Sequence, residues 1–306
     1  MMKKTIIDKT YNGSQKIKFA AMSRMAIFAL LLLLSAGCVK DDLHNTPHPD
    51  KGAVKVTTDW TDALAPGTIP HDYCLCMDGG AAKHVDEKVC CYPDLLEPGR
   101  HTLLIHNEPQ GITISGTKAT VNLLEDGTLE PLPEYLFSAV KELDVVADDT
   151  LRVTVPMERH ICPIVLDVNL RGDNTENIAR IDATLSGIVS SVDMQSGIIG
   201  SENFSVDMDI RQVEEKVRTY TEGVLELKCR VLGVNPAERQ LITMTITMKD
   251  GSVFIIESDL TDNLKDLNTE QDPIELEGTV DTPQDGHFGG TITDWTEVDN
   301  GNIDIK

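Results

Sequence analysis

The sequence predicts an all-β protein of two tandem sandwiches, exported and held to a membrane by a lipid near its N-terminus. Three observations lead there. Apolar and polar residues alternate with a period of two in stretch after stretch beyond Ala53, the pattern of half-buried strands. Long apolar helical periods are absent outside the first 38 residues. Those 38 residues form a leader in which a short apolar run ends in small residues and a cysteine.

The leader centres on Ala26 to Asp42, AIFALLLLLSAGCVKDD. Leu30 to Leu34 are followed by Ser35-Ala36-Gly37 and Cys38, and Lys3, Lys4, Lys9, Lys16, Lys18 and Arg24 precede them. The run falls well short of the ~20 residues that span a bilayer and has the size of a signal-peptide core. A small-residue site ending in cysteine is the pattern of bacterial lipoprotein signals, in which the thiol takes the lipid and becomes the new N-terminus. Ser35 stands where leucine is more usual. The competing reading is an ordinary signal cut near Ala36, with Cys38 as a disulfide partner. Met22 or Met25 would open a more compact signal.

Removing residues 1–38 leaves 21 of the 27 Lys/Arg and 49 of the 50 Asp/Glu, a net charge of −28. That excludes a basic footprint for nucleic acid or for anionic lipid. The remaining 268 residues suit two domains, expected at 52–148 and 149–306 behind a tether at 39–51. The tether, VKDDLHNTPHPDK, has two prolines and no apolar period, and His44 and His48 in it read as solvated.

Strands are expected in chain order. In AVKVTTDW, Val54, Val56, Thr58 and Trp60 share a face. Tyr73–Met77, Thr102–His106, Ala119–Leu124 and Leu136–Val146 follow, with Pro98-Gly99 read as hairpin chemistry before RHTLLIHN. LRVTVPM ends at an edge or bend marked by Pro156. PIVLDVNL turns Ile164, Leu166, Val168 and Leu170 inward, IARIDATLSGIV continues, and GVLELKCRVLG puts Leu225, Leu227, Cys229 and Val231 on one face. LITMTITMKDGSVFIIES reads as a hairpin with Asp250-Gly251 as a two-residue turn. DLTDNLKDLN offers a short helix capped by Asp259 or Thr261. Gly301 to Lys306 reads as a short strand that closes its own sheet or extends into a neighbour's, the closing role being favoured. VTTDWTD at 56–62 is echoed by TITDWTE at 291–297, compatible with two related domains.

Six cysteines remain after Cys38: Cys74, Cys76, Cys90, Cys91, Cys162 and Cys229. Outside the cytoplasm an even count favours disulfides. Cys74 and Cys76 lie roughly 7 Å apart on one side of a strand and bridge each other poorly, and adjacent Cys90 and Cys91 would close a strained ring. A bridge between the CxC and CC segments is therefore expected; a four-thiolate zinc site lacks its two CxxC knuckles. Cys162 and Cys229 face inward as thiols or as a second bridge.

No nucleophile elbow, HExxH, P-loop or GxGxxG occurs, and the eight histidines fall in no triad or ligand spacing. Paired acids such as Asp207 and Asp209, alternating on a strand, are commonplace among so many. Thr282–Gly290, TPQDGHFGG, lacks the regular acids of a calcium loop. The expectation is no catalytic residue, no metal and no cofactor. Trp60 and Trp295 are the only tryptophans, few for a sugar-stacking platform.

HPDKGAVKVTTDW after the lipidated cysteine, PGRHTLLIHN, the Pro-x-Tyr-Leu-Phe segment at Pro133–Phe137, ATLSGIVSSVDMQSG, KCRVLG and DLTDNLKDLN occur in this order. Together they resemble the FimB-type fimbrial anchor family, lipoproteins of gut and oral Bacteroidales, over about residues 38–278. The resemblance implies two tandem transthyretin-like Greek-key sandwiches, as in type V pilus subunits. It implies an outer-membrane anchor or accessory subunit that holds a fimbrial stalk by strand sharing, with no enzymatic turnover. Lys40-Asp41-Asp42 is similar to the acidic signal that sends such lipoproteins to the cell surface. The partners implied are pilus subunits, with no nucleic acid. The alternative is a surface glycan- or ligand-binding lipoprotein of a nutrient-uptake system.

Overall fold

In β1 (Ala53–Asp59), Val54, Val56 and Thr58 are fully buried while their neighbours face outward. This is the alternation the sequence dictates. The computed structural model describes residues 49–172, 175–212, 223–270, 272–281 and 292–297. The leader, Cys38, Lys40, Asp41, Asp42, most of the tether, the loop Thr282–Gly290 and the segment Gly301–Lys306 lie outside the described residues.

The N-terminal half continues with β2 (Tyr73–Met77), β3 (Lys83–Val85), β4 (Val89–Cys91), β5 (Gly99–His106), β6 (Ile112–Ser115), β7 (Lys118–Val121), β8 (Phe137–Val145), β9 (Thr150–Pro156) and β10 (Glu158–Arg159). One sheet runs β4-β1-β9 and the other β10-β8-β5-β2-β3. Their inner faces meet where Trp60 sets its ring edge-on to Tyr73 and Phe137, with centroids 5.9 and 5.4 Å away. Leu75, Leu103, Ile105 and Phe137 are fully buried around them, each contributing about 1.5–3 kcal/mol by leaving water. Gly52 closes the entry to β1. A Cβ there would lie 2.3 Å from the Val146 carbonyl oxygen, so only glycine lets the chain pass.

The C-terminal half holds β11 (Cys162–Arg171), β12 (Ile178–Ile188), β13 (Ser191–Asp193), β14 (Ile198–Ile199), β15 (Phe204–Asp207), β16 (Asp209–Gln212), β17 (Gly223–Val231), β18 (Leu241–Met248), β19 (Val253–Asp259), β20 (Ile274–Asp281) and β21 (Thr293–Glu297). Its sheets run β16-β17-β11-β20-β21 and β15-β12-β18-β19. Trp295 links them, with Nε1 donating to Ser258 Oγ at 2.9 Å and the ring lying over Gly278. The ATLSG segment carries a bulge in β12 between Ser186 and Ile188, where Gly187 takes φ +77°. The chain is all-β, in tandem sandwiches that echo each other: β1 has one antiparallel and one parallel neighbour (β4, β9), and so does β11 (β17, β20).

A fifth sheet, β14-β13-β7-β6, takes strands from both halves. Thr120, Ala119 and Lys118 pair with Ser191, Val192 and Asp193. Thr117 Oγ1 donates to Asp193 Oδ2 at 2.6 Å, and Arg230 lies over the Tyr135 ring at 4.4 Å. The two halves therefore share a seam of backbone hydrogen bonds.

Several expectations change here. The C-terminal half was expected to open at 149, but β9 pairs in parallel with β1 and β10 pairs with β8. Residues 150–159 thus complete the N-terminal sheets, because a parallel neighbour for β1 requires the chain to cross over and return. Pro98-Gly99 starts no hairpin: β5 pairs with β2 and β8, in a different sheet from β4. The strand expected through Leu124 ends at Val121, leaving Leu123 and Leu124 exposed. The β18–β19 hairpin forms with three loop residues, Lys249 to Gly251, closed by Met248 N–H to Ser252 O at 2.8 Å. Gly251 at φ +89° supplies the left-handed position. The single short helix is two, α1 (Thr261–Leu264) and α2 (Leu267–Glu270). Asp207 and Asp209 fall on β15 and β16, in separate sheets. The Asp-Trp-Thr echo ends the first strand of one half and occupies the last described strand of the other, so the two copies hold different positions.

Candidate functional site

Strand sharing needs an edge, and β9 is one of the longest. It has seven residues and, among the described residues, pairs only with β1, in a three-stranded sheet facing a five-stranded one. Val155 is buried, while Leu151 and Val153 on the same inner side are only half-buried although both pack on the core. A core-facing pair left half-wet at a sheet margin is what an added strand would cover. Pro156 sits at the last position, where it limits but does not block pairing along the strand.

The cysteines are arranged differently from the expectation. All six described cysteines are free thiols. Cys90 stands opposite Val56 and faces the sandwich interior, with its sulfur 3.7 Å from the Tyr73 hydroxyl. Tyr73 and Leu75 point into that interior, so Cys74 and Cys76 lie on the opposite face of β2. The strand itself separates the thiols that were expected to bridge, and Cys91 is exposed opposite Lys55. Cys162 and Cys229 are buried thiols. Cys162 Sγ donates to Asp272 O at 2.8 Å, and burial pushes both thiols up, Cys162 to about 12.

On the outer face of β2, Cys74 is flanked by His84 of β3 and His106 of β5, its cross-strand partners. Cys74 Sγ lies 3.4 Å from His84 Nδ1, and Cys76 Sγ lies 3.7 Å from His106 Nε2. Glu108 follows β5 on this side. The ligand atoms of Cys74, His84 and Glu108 all fall within 4.8 Å of one another. Burial, then the Glu108 charge, raises the Cys74 thiol to about 12. A cleft of about 590 Å³ beside Cys76 and His106 is roofed by Ile114, Gly116 and Thr117 of the β6–β7 hairpin. Sequence spacing missed His84, His106 and Glu108, because only strand register puts them beside the CxC motif.

Ser138 and His160 form a buried pair at 2.6 Å. Neither lines the clefts around Arg230, Trp60 and Cys76. Trp60 packs edge-on against Tyr73 and Phe137 while also lining one of these clefts, and Trp295 packs on Gly278 with its indole N–H on Ser258. No helix among the described residues is long and apolar enough to cross a membrane.

The family model Mfa2, Fimbrillin-A associated anchor proteins Mfa1 and Mfa2, matches residues 96–301. No curated protein sequence matches the chain. Among solved structures, the fimbrial anchor protein Mfa2 from Porphyromonas gingivalis is 13% identical, with TM-score 0.54 over 81% of this chain and 97% of its own. An adhesin candidate from Bacteroides ovatus is 15% identical, with TM-score 0.55 over 82% of this chain and 99% of its own. A candidate polysaccharide-binding protein from Bacteroides thetaiotaomicron is 9% identical, with TM-score 0.50 over 83% of this chain and 99% of its own. At these identities the structures share the fold.

Proposed function

Because the chain belongs to the family of fimbrillin-A associated anchor proteins, we propose that it is a cell-surface lipoprotein that holds a fimbrial stalk at the outer membrane. Cys38 carries the lipid, Lys40-Asp41-Asp42 directs surface exposure, and a strand of a stalk subunit pairs along β9. The observation that carries the last step is the unequal sandwich, three strands against five, with Leu151 and Val153 half-buried at its open margin. An incoming extended segment would complete the sheet with backbone hydrogen bonds and take those two side chains out of water.

No catalysis is part of this reading. Ser138 and His160 resemble a nucleophile–base pair in distance but are sealed from substrate. Glycan binding is favoured less, since the sequence holds only two tryptophans and both make packing contacts, Trp60 with Phe137 and Trp295 with Ser258.

Cys38→Ser should yield unlipidated protein released from the membrane fraction, because acyl chains supply roughly 0.8 kcal/mol per buried CH₂. Deleting the gene should release or mislength the fimbriae while stalk synthesis continues. Normal, anchored fimbriae in the deletion strain, with oligosaccharide binding by the purified protein, would overturn the reading.

A further inference from the structure

Cys74, His84 and Glu108 converge on the outer face of the β10-β8-β5-β2-β3 sheet, and the anchor reading makes no use of them. We propose that these three side chains bind a divalent cation of the zinc class. In a tetrahedral zinc site, Zn–S of ~2.3 Å and Zn–N of ~2.0–2.1 Å place sulfur and nitrogen roughly 3.6 Å apart. Cys74 Sγ and His84 Nδ1 already stand 3.4 Å apart. With Glu108 included, no two ligand atoms are farther apart than 4.8 Å, so a small carboxylate movement closes the set.

The donor set selects the ion. One sulfur, one imidazole nitrogen and one carboxylate oxygen suit zinc, whereas calcium and magnesium call for oxygen throughout. The positions are also fixed by the fold. Cys74 is 1% exposed on an inner strand, and His84 is its direct partner on the neighbouring edge strand. His84 and Glu108 are exposed, so the cation enters from solvent and water completes the fourth position. Binding turns the Cys74 thiol into a thiolate and releases its proton to solvent.

Cys76 and His106 flank the site as a pair of their own. His106 is 3% exposed, with Nδ1 at 3.1 Å from the Asn107 carbonyl oxygen and Nε2 toward Cys76 Sγ. They wall the site rather than ligate. Bound metal would fasten the three-residue strand β3 and the end of β5 to β2, clipping an edge that is otherwise short and exposed.

The test titrates the full chain, reduced and stripped with a chelator, with cobalt(II) and then zinc. One equivalent of cobalt with a thiolate-to-cobalt charge-transfer band is expected, displaced by zinc, together with a zinc-dependent rise in melting temperature. His84→Ala and Glu108→Gln, both exposed and so compatible with folding, should each weaken binding at least tenfold and remove the thermal shift. Cys76→Ala should keep one equivalent. Failure of the reduced wild type to take up either metal overturns the proposal. So does uptake unchanged in His84→Ala, or loss confined to Cys76→Ala.

Discussion

Ser138 Oγ and His160 Nε2 share a buried hydrogen bond of 2.6 Å on the outer face of the β10-β8-β5-β2-β3 sheet, tying β8 to the segment that follows β10. Burial holds the imidazole neutral, down to about 4 from 6.5, against a smaller opposing pull from Asp62. An unfolded chain takes up that proton near 6.5, so it binds more protons than the native state between 6.5 and 4. Stability is complete above pH 6.5 and falls as pH drops toward 4, by about 3 kcal/mol from this group. Urea unfolding followed by tryptophan fluorescence should show the decline, and His160→Gln should flatten it. An equal slope in the variant would remove His160 as the cause.

Gly52→Ala should destabilise by about 1–3 kcal/mol, as overpacking does, since the added methyl meets Val146 O at 2.3 Å and Val145 Cγ1 at 2.5 Å. Gly67→Ala, where a Cβ meets nothing within 4 Å, is the control and should stay within about 0.5 kcal/mol. Denaturant midpoints compare the two.

Asp167 on β11 stands directly opposite Glu226 on β17 and Glu277 on β20. Burial, then these like charges, raise its carboxyl above the usual range. Here the native state holds the proton more tightly than the unfolded chain, so the penalty is present at neutral pH and relieved in acid. Asp167→Asn should therefore stabilise by ~0.5 kcal/mol at pH 7 and by less at pH 4. A gain independent of pH would exclude charge repulsion as the source.

If β9 receives the stalk strand, Leu151→Lys and Val153→Lys should each weaken capture of the stalk subunit at least tenfold. The isolated protein should lose only about 1 kcal/mol, because both side chains are half-exposed already. Pull-down and melting curves read the two effects separately. Capture at wild-type strength would move the partner to another edge.

Side-chain direction was legible wherever a strand has one wet face. Val54, Val56 and Thr58, the Ile164–Leu170 series and Leu225 to Val231 are all buried as their alternation requires. Pairing was not legible, because period two says which face is buried and nothing about which strand lies alongside. That is why β9 returned to β1 and why the CxC and CC thiols proved to be on opposite sides of β2. The Cys74–His84–Glu108 cluster was hidden for the same reason: its members lie 10 and 24 residues away from one another along the chain, and only register brings them together.

The sheet that takes β6 and β7 from one half and β13 and β14 from the other bears on how the molecule carries load. If the proposed anchor role holds, a stalk pulling on one sandwich against a restraint at the chain N-terminus puts tension across the protein. A simple linker between halves would act as a hinge and stretch first. Here the rungs between Lys118–Thr120 and Ser191–Asp193, braced by Thr117 on Asp193 and Arg230 on Tyr135, must break before the halves part. Under tension along its length, the described fold behaves as a stiff strut rather than as two bodies on a hinge.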